Sequence, residues 1–240
     1  MIEENILKQQ AEEFARTHKK RLAKELTDIS KFSPDATPVS VFMAGSLGAG
    51  KTEFSKRLID SLEENKKHRV IRIDGDELRR LFPGYTGTNS YIFQSAVSII
   101  VDKIHDMALE NKQTFLLDGT LSKYDKAAEN ITRSLSKNRP VLIFYVYQKP
   151  EVAWRFTQAR EILEGRNIPR EIFIKEFIGS GNTINLIQKN FIDKVAMFLV
   201  KKNFETQDVE DIIEINDSKK HIDDYLKHVY TEFELNNTLI

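Results

Sequence analysis

Eight consecutive residues, Gly45-Ser46-Leu47-Gly48-Ala49-Gly50-Lys51-Thr52, hold the densest chemistry in the chain. They satisfy the pattern G-x-x-x-x-G-K-[ST] without a mismatch, and an apolar run from Val39 to Ala44 leads into them. Glycines here let backbone N–H groups turn inward around a polyphosphate, and a following helix offers its positive N-terminus to the same anion. Lys51 would then reach the β- and γ-phosphates of a nucleotide, while the Thr52 hydroxyl ligates Mg²⁺. Glu53–Ile59 continues with apolar residues at helical spacing, which completes the strand–loop–helix context. This stretch predicts a nucleoside-triphosphate binder.

Two more strand-like segments end in acids. The alternating Arg69-Val70-Ile71-Arg72-Ile73 runs into Asp74-Gly75-Asp76, and Phe115-Leu116-Leu117 runs into Asp118-Gly119-Thr120. Carboxylates at the C-terminal ends of strands lie where open α/β sheets bind ligands. One placed opposite a phosphate loop can take the proton from a hydroxyl aimed at the γ-phosphate. Later in the chain come Arg155, Arg160, Arg166 and Arg170. Arginine suits the charge that develops on a transferring phosphoryl group, and a helix pair carrying it would act as a lid over ATP. For Arg155 and Arg170, surface pairing with Glu151, Glu161, Glu164 and Glu171 is the preferred reading. A guanine-reading N-K-x-D segment is missing, because Asn65-Lys66-Lys67-His68 lacks the aspartate, and there is no L-S-G-G-Q signature. The pattern therefore points to a small-molecule kinase rather than a GTPase or a motor.

The elements that must position these groups follow from periodicity. A helix is expected over 2–26, either packed on the flank of the domain or serving as a docking surface, and 27–38 with its two prolines breaks it. Strands are expected at 39–44, 69–73, 115–117, 141–146 and 209–215. Helices are expected after the phosphate loop and over 91–110, 122–137, 151–164 behind Pro150, 170–177, 184–200 and 222–233. Strand–helix alternation implies a mainly parallel sheet flanked by helices on both faces, with right-handed crossovers. The 240 residues suit one α/β domain: an N-terminal helical extension and linker over 1–37, a core over 38–215 and a C-terminal helix over 216–240.

Composition sets the outer limits. Hydrophobic residues make up 40% and charged residues 30% of the chain, as in a soluble globular protein. Lys+Arg and Asp+Glu balance at 36 each, which gives no net pull toward nucleic acid or an anionic membrane. Cysteine is absent, so disulfides, thiolate metal sites and cysteine nucleophiles are excluded. No apolar run approaches the roughly 18 residues of a membrane span, the first ten residues are too polar and acidic for a secretory signal, and the tail has no lipidation box. A cytoplasmic location is expected.

Four blocks together resemble the zeta toxin family, the kinase halves of bacterial epsilon–zeta toxin–antitoxin systems. They are MAGSLGAGKT, IDGDELRRLFPGY, LLDGTL and PEVAWRFTQAREILEGRNIPREIFI, and the resemblance covers roughly Val39 to Gly179. It implies a three-layer P-loop kinase fold and ATP- and Mg²⁺-dependent phosphorylation of a UDP-N-acetyl-sugar, typically UDP-N-acetylglucosamine at its 3′-hydroxyl. That reaction starves cell-wall synthesis, so a protein antitoxin is the implied partner. Within the resemblance, Asp76 is the carboxylate that accepts the sugar hydroxyl's proton. Asp74 either orients Asp76 or a metal-bound water, or caps the strand end. Arg160 and Arg166 map onto the lid arginines. Asp118-Gly119-Thr120 matches the family's E-G-T segment, which holds the sugar, with an acid one methylene shorter. Asp102 falls where the family can carry a further substrate contact, or else is a solvated helix acid. Where the family often has arginine beyond the threonine, this chain has Ser122 and Lys123, and Lys123 would be a point charge rather than a fork toward the diphosphate. Two other readings stand beside this one: a related phosphotransferase acting on another hydroxylated metabolite, such as a nicotinamide dinucleotide or an antibiotic, and an ATP-binding switch that transfers nothing.

Overall fold

The computed structural model describes residues 2–64, 69–165, 167–203, 208–217 and 220–239. Its elements run α1 (Ile2–Leu26), β1 (Ser40–Ala44), α2 (Lys51–Glu64), β2 (Ile71–Asp74), α3 (Gly75–Leu78), α4 (Gln94–Glu110), β3 (Phe115–Asp118), α5 (Tyr124–Leu135), β4 (Val141–Tyr147), α6 (Pro150–Glu164), α7 (Arg170–Phe191), β5 (Ala196–Lys202), β6 (Val209–Ile215) and α8 (Glu232–Thr238). The strands form one sheet in the order β2-β3-β1-β4-β5-β6, and every neighbouring pair is parallel except β5 with β6. After β3 the chain passes to the other side of β1 to build β4. The C-terminal end of β1 is therefore the switch point at which an open α/β sheet leaves a ligand crevice. The phosphate loop begins there.

Both faces of the sheet are covered, but unequally. Phe54, Leu58, Ile59 and Leu62 of α2 cover Val41, Met43, Leu116, Val146 and Val200 on one face. The other face carries Phe42, Phe115, Ile143 and Tyr145 beneath α4, α5 and α7, which contribute Ile100, Ile104, Ile131 and Ile184. β1 is buried along its whole length, as a central parallel strand must be. The first helix takes the flank position: Ala11, Ala15 and Ala23 are buried, and small residues let it lie close to its neighbours. Phe14 stacks on His18 and packs on Phe82, and the Ser95 hydroxyl donates to Glu12 at 2.6 Å. Among the described residues, no helix is long and apolar enough to cross a membrane.

Three expectations are corrected. Residues 184–200 are not one helix: α7 runs unbroken from Arg170 to Phe191, and 196–202 is strand β5. A strand buried on both faces shows a continuous apolar run, which periodicity cannot tell from a buried helix. Gly179 and Gly181, which resemble a break, lie inside α7. A Cβ on Gly179 would sit 2.8 Å from the Ser122 carbonyl oxygen, so this glycine permits a close approach. The last strand is not a right-handed crossover: β6 turns back antiparallel on β5. Residues 222–233 are not a single helix either. A 3-10 turn at Ile222–Tyr225 is followed by α8, which starts at a Thr231–Glu234 capping box.

His105 of α4 lies fully buried, edge-on to the rings of Phe42 and Phe115, and among the described residues neither ring nitrogen has a hydrogen-bond partner. Burial, reinforced by Arg133 and Arg139, lowers its pKa from 6.5 to about 3. The folded ring therefore stays neutral while the unfolded ring takes up a proton. Its contribution is full above pH 6.5 and is lost as the pH falls toward 3. Urea unfolding at pH 7 and pH 4.5 should show His105→Phe sparing the protein about 2–3 kcal/mol of the wild-type loss between those two conditions. Equal losses in both proteins would contradict this.

Candidate active site

The phosphate loop takes its shape from two close backbone approaches. Gly45 has φ +132°, and a Cβ there would lie 2.3 Å from the Val146 carbonyl oxygen of β4. Gly48 has φ +69°, and its Cβ would lie 2.0 Å from the Ala153 carbonyl oxygen of α6. The second contact is not part of the eight-residue pattern. It seats the first turns of α6 directly on the loop. Lys51 opens α2 and folds back, donating from Nζ to the carbonyls of Gly45 and Ser46 at 2.9 and 2.6 Å. Ser46 and Ala49 are buried, and Leu47, Gly50, Lys51 and Thr52 are half-buried. Burial lowers the Lys51 pKa, opposed by the nearby Asp118, Asp76 and Glu176, while Arg160 acts in the same direction as burial. Those neighbours define the site.

Asp74 and Asp118 face each other in the β2–β3 register. Two bare carboxylates would repel there, and Arg72 prevents it. Its Nη2 donates to both Asp74 Oδ2 and Asp118 Oδ2 at 2.6 Å, and its Nη1 donates to Glu77 Oε1 at 2.6 Å. Asp118 also accepts from the Ser55 hydroxyl at 2.9 Å, which ties the network to α2. Asp74 caps α3 by accepting from the Asp76 N–H at 2.8 Å, which holds the turn that carries Asp76. Burial raises the Asp74 pKa, and the Asp76 charge adds to that. Asp76 itself stands at the first turn of α3, paired with the buried Arg79, whose Nη2 donates to Gln94 Oε1 at 2.5 Å.

Thr120 is clamped from three sides. Its carbonyl accepts from the Gly45 N–H at 3.1 Å and from the Ser180 hydroxyl at 2.8 Å, and its own hydroxyl donates to Glu176 Oε2 at 2.5 Å. That short distance marks a charge-assisted bond. The Ser122 hydroxyl lies 3.2 Å from Thr120 Oγ1. One proton cannot serve both neighbours, and the carboxylate takes it, so Thr120 faces everything else as an acceptor. Leu121 follows at φ +52°, a left-handed conformation that is uncommon for a non-glycine residue.

The remaining expected residues divide. Arg160 is exposed on α6 and borders the loop beside Leu47, Gly48 and Thr157. Arg166 lies outside the described residues. Asp102 is away from the loop, paired with Lys126 of α5 at 2.8 Å on the surface. Lys123 is exposed just before α5. Among the described residues Arg170 makes no pairing of the expected kind: it donates to the Leu239 carbonyl at 2.8 Å and the Asn236 carbonyl at 3.4 Å, at the C-terminal end of α8, where cations are favoured. Sequence reading missed Arg72, Arg79 and Glu176. Arg72 occupies an alternating strand position that reads as solvent-facing, and Glu176 is one acid among several on an amphipathic helix.

Among the described residues, no group of three or more acids or histidines could hold a metal by itself. A magnesium ion fits such a site, because it binds mainly through substrate phosphates and water with one or two protein ligands. The half-buried Thr52 hydroxyl at the start of α2 is placed to be one of them.

Arg72→Met would leave Asp74 and Asp118 side by side and uncompensated. Denaturant unfolding should show a loss of about 3–5 kcal/mol at neutral pH, recovered in part as the pH falls and Asp74 protonates. A change below about 1 kcal/mol would mean that the network adds little.

The chain matches the zeta toxin family over residues 23–219. No curated protein sequence matches it. In fold it resembles the PezAT chromosomal toxin–antitoxin system of Streptococcus pneumoniae, with a TM-score of 0.67 at 17% identity over 93% of this chain and 91% of that one. It also resembles the AvrRxo1-ORF1:ORF2 structure with ATP, with a TM-score of 0.56 at 15% identity over 90% of this chain and 67% of that one. The family match spans the phosphate loop, both strand-end acids and the α6–α7 pair, so the chain belongs to the zeta toxin family and is a P-loop kinase-like phosphotransferase.

Proposed function

We propose that the chain, acting as one P-loop kinase domain over residues 1–240, transfers the γ-phosphoryl group of ATP to a hydroxyl of a UDP-N-acetyl-sugar, UDP-N-acetylglucosamine first among them, and that it acts as a toxin held by an antitoxin protein. The observation that carries this reading is the placement of the phosphate loop at the C-terminal end of β1, with Lys51 at the head of α2 and the acid-ended β2 and β3 on the same edge of the sheet. A phosphate-loop lysine, a strand-end carboxylate able to serve as base and an arginine of α6 bordering the loop are a set suited to phosphoryl transfer.

In this reading Gly45–Thr52 hold the triphosphate, and Lys51 leaves the loop carbonyls for the β- and γ-phosphates. Asp76 accepts the proton as the acceptor oxygen bonds to the γ-phosphorus. The bond from that phosphorus to the β–γ bridging oxygen breaks, and ADP departs. Arg160 offsets the charge on the transferring group, and Arg166 is proposed to join it. A magnesium ion held by Thr52 and the phosphates would neutralise charge on the β- and γ-oxygens. Thr120 faces the acceptor with Glu176 behind it. The AvrRxo1 structure solved with ATP supports ATP as the donor. The PezAT system supports an antitoxin partner.

A different hydroxylated acceptor is favoured by one observation. Asp118 is turned to Ser55 and Arg72, and Asp102 to Lys126, so neither acid is extended toward a sugar. Incubation with ATP–Mg²⁺ and a panel of UDP-sugars, nicotinamide dinucleotides and aminoglycosides separates the two, with phosphorylated UDP-N-acetylglucosamine expected. Transfer exclusively to another compound would replace the sugar reading. Asp76→Asn should cut turnover by about 10²–10⁴-fold with ATP affinity nearly unchanged, whereas Lys51→Ala should lower both. Near-normal turnover in Asp76→Asn would remove Asp76 as the base.

A further inference from the structure

Arg79 stands where packing alone would choose an apolar side chain. It is only 7% exposed, and its Nε has no hydrogen-bond partner among the described residues. A buried guanidinium with an unbonded N–H is costly, so stability alone does not account for it. Its other nitrogens are committed: Nη1 donates to Asp76, and Nη2 donates to Gln94 Oε1 at 2.5 Å. One planar group thus joins a half-buried carboxylate of the crevice to the first residue of α4.

The two ends of this link differ in firmness. Asp76 rides on α3, a helix of four residues, and a single turn does little to fix a side chain by itself. Gln94 opens a helix of 17 residues and has anchored neighbours. Ser95 donates to Glu12 of α1 at 2.6 Å, and Phe93 packs on Phe82, which packs on Phe14 of α1. Arg79 therefore carries the rigidity of the α1–α4 pair to Asp76.

Charge gives a second reason for an arginine here. Arg72 divides its donors among Asp74, Asp118 and Glu77, and Arg79 is the arginine that pairs with Asp76. Asp74 of β2 and Lys51 of α2 also exchange charge with Asp76. A neighbouring carboxylate favours the protonated form, in which Asp76 could not accept a proton, whereas a bonded guanidinium favours the ionised form.

Building on the reading of Asp76 as the base, we infer that Arg79 is its positioning residue, holding the carboxylate aimed and ionised from the head of α4.

Steady-state kinetics across pH, with the acceptor that the wild-type protein phosphorylates, tests this. Arg79→Met should lower kcat about 10- to 100-fold and leave KM for ATP and for the acceptor within about twofold. Its acidic limb of kcat/KM should move up by about one pH unit or more, because Asp76 then keeps its proton to higher pH. Arg79→Lys, a cation without the fork, should keep the wild-type limb and recover only part of kcat. Gln94→Met, which frees the far end of the fork, should also keep the limb and lose part of kcat, and it carries the positioning test if Arg79→Met does not fold. Carbon-13 NMR titration of the Asp76 carboxyl, assigned by its loss in Asp76→Asn, reads the ionisation without turnover. An unmoved titration in Arg79→Met overturns the inference whatever the kinetics, as does wild-type kcat in both Arg79→Met and Gln94→Met. A titration that moves while Asp76→Asn remains fully active shows instead that the reading of Asp76 as base has failed, and the positioning role falls with it.

Discussion

Like charges crowded at the C-terminal edge of a parallel sheet must be balanced, and Arg72 does most of the balancing here. Asp74 and Asp118 end adjacent strands in register, with Asp76 two residues on. Without a cation between them, the strand ends would splay or protonate. The guanidinium fork suits the task because it is planar, always charged and able to donate in several directions at once. Through it β2, β3, α3 and, by way of Ser55, the phosphate-loop helix become one hydrogen-bonded unit. The position of Asp76 follows, because the Asp74 side chain that Arg72 holds is the same one that caps the turn carrying Asp76.

A second clamp acts on the opposite wall. The Thr120 carbonyl is shared between the Gly45 N–H and the Ser180 hydroxyl, so the phosphate loop, the segment after β3 and α7 meet at one oxygen atom. α7 is fixed along its length: Arg170 grips the end of α8, Glu176 and Ser180 grip Thr120, and the Asn185 side-chain oxygen accepts from the Ile222 N–H. α6 is fixed at its N-terminal side by the Gly48–Ala153 approach. Its far end, with Ile162 and Leu163 exposed before the left-handed Gly165, shows no comparable backbone approach among the described residues.

How legible this was depended on whether the signal was local. The phosphate loop, α1, α2, α4, α5 and α6, and every strand but β5, follow from nearest-neighbour chemistry and periodicity. So does the acid-ended character of β2 and β3. β5 was hidden because Ala196-Met197-Phe198-Leu199-Val200 is equally apolar on both sides, which is what a strand between β4 and β6 needs and also what a buried helix shows. Arg72, Arg79 and Glu176 were illegible for another reason. Their importance comes from which strand lies beside which, and the β3-between-β2-and-β1 order is not written in any window of the sequence.

The same logic bears on the acid at position 118. An aspartate is short, and here its carboxylate is held by Ser55 and Arg72, within the wall of the site rather than beyond it. A longer acid at that position could reach past the network toward an acceptor, and this one is held back. The group from this loop left facing the site is the Thr120 hydroxyl, its proton committed to Glu176. In the proposed reading, that wall would take a donor on the acceptor molecule, an N–H or O–H, rather than a cation or a bare anion. Asp118 braces the wall through Ser55 and Arg72, while the Thr120 hydroxyl is polarised by Glu176.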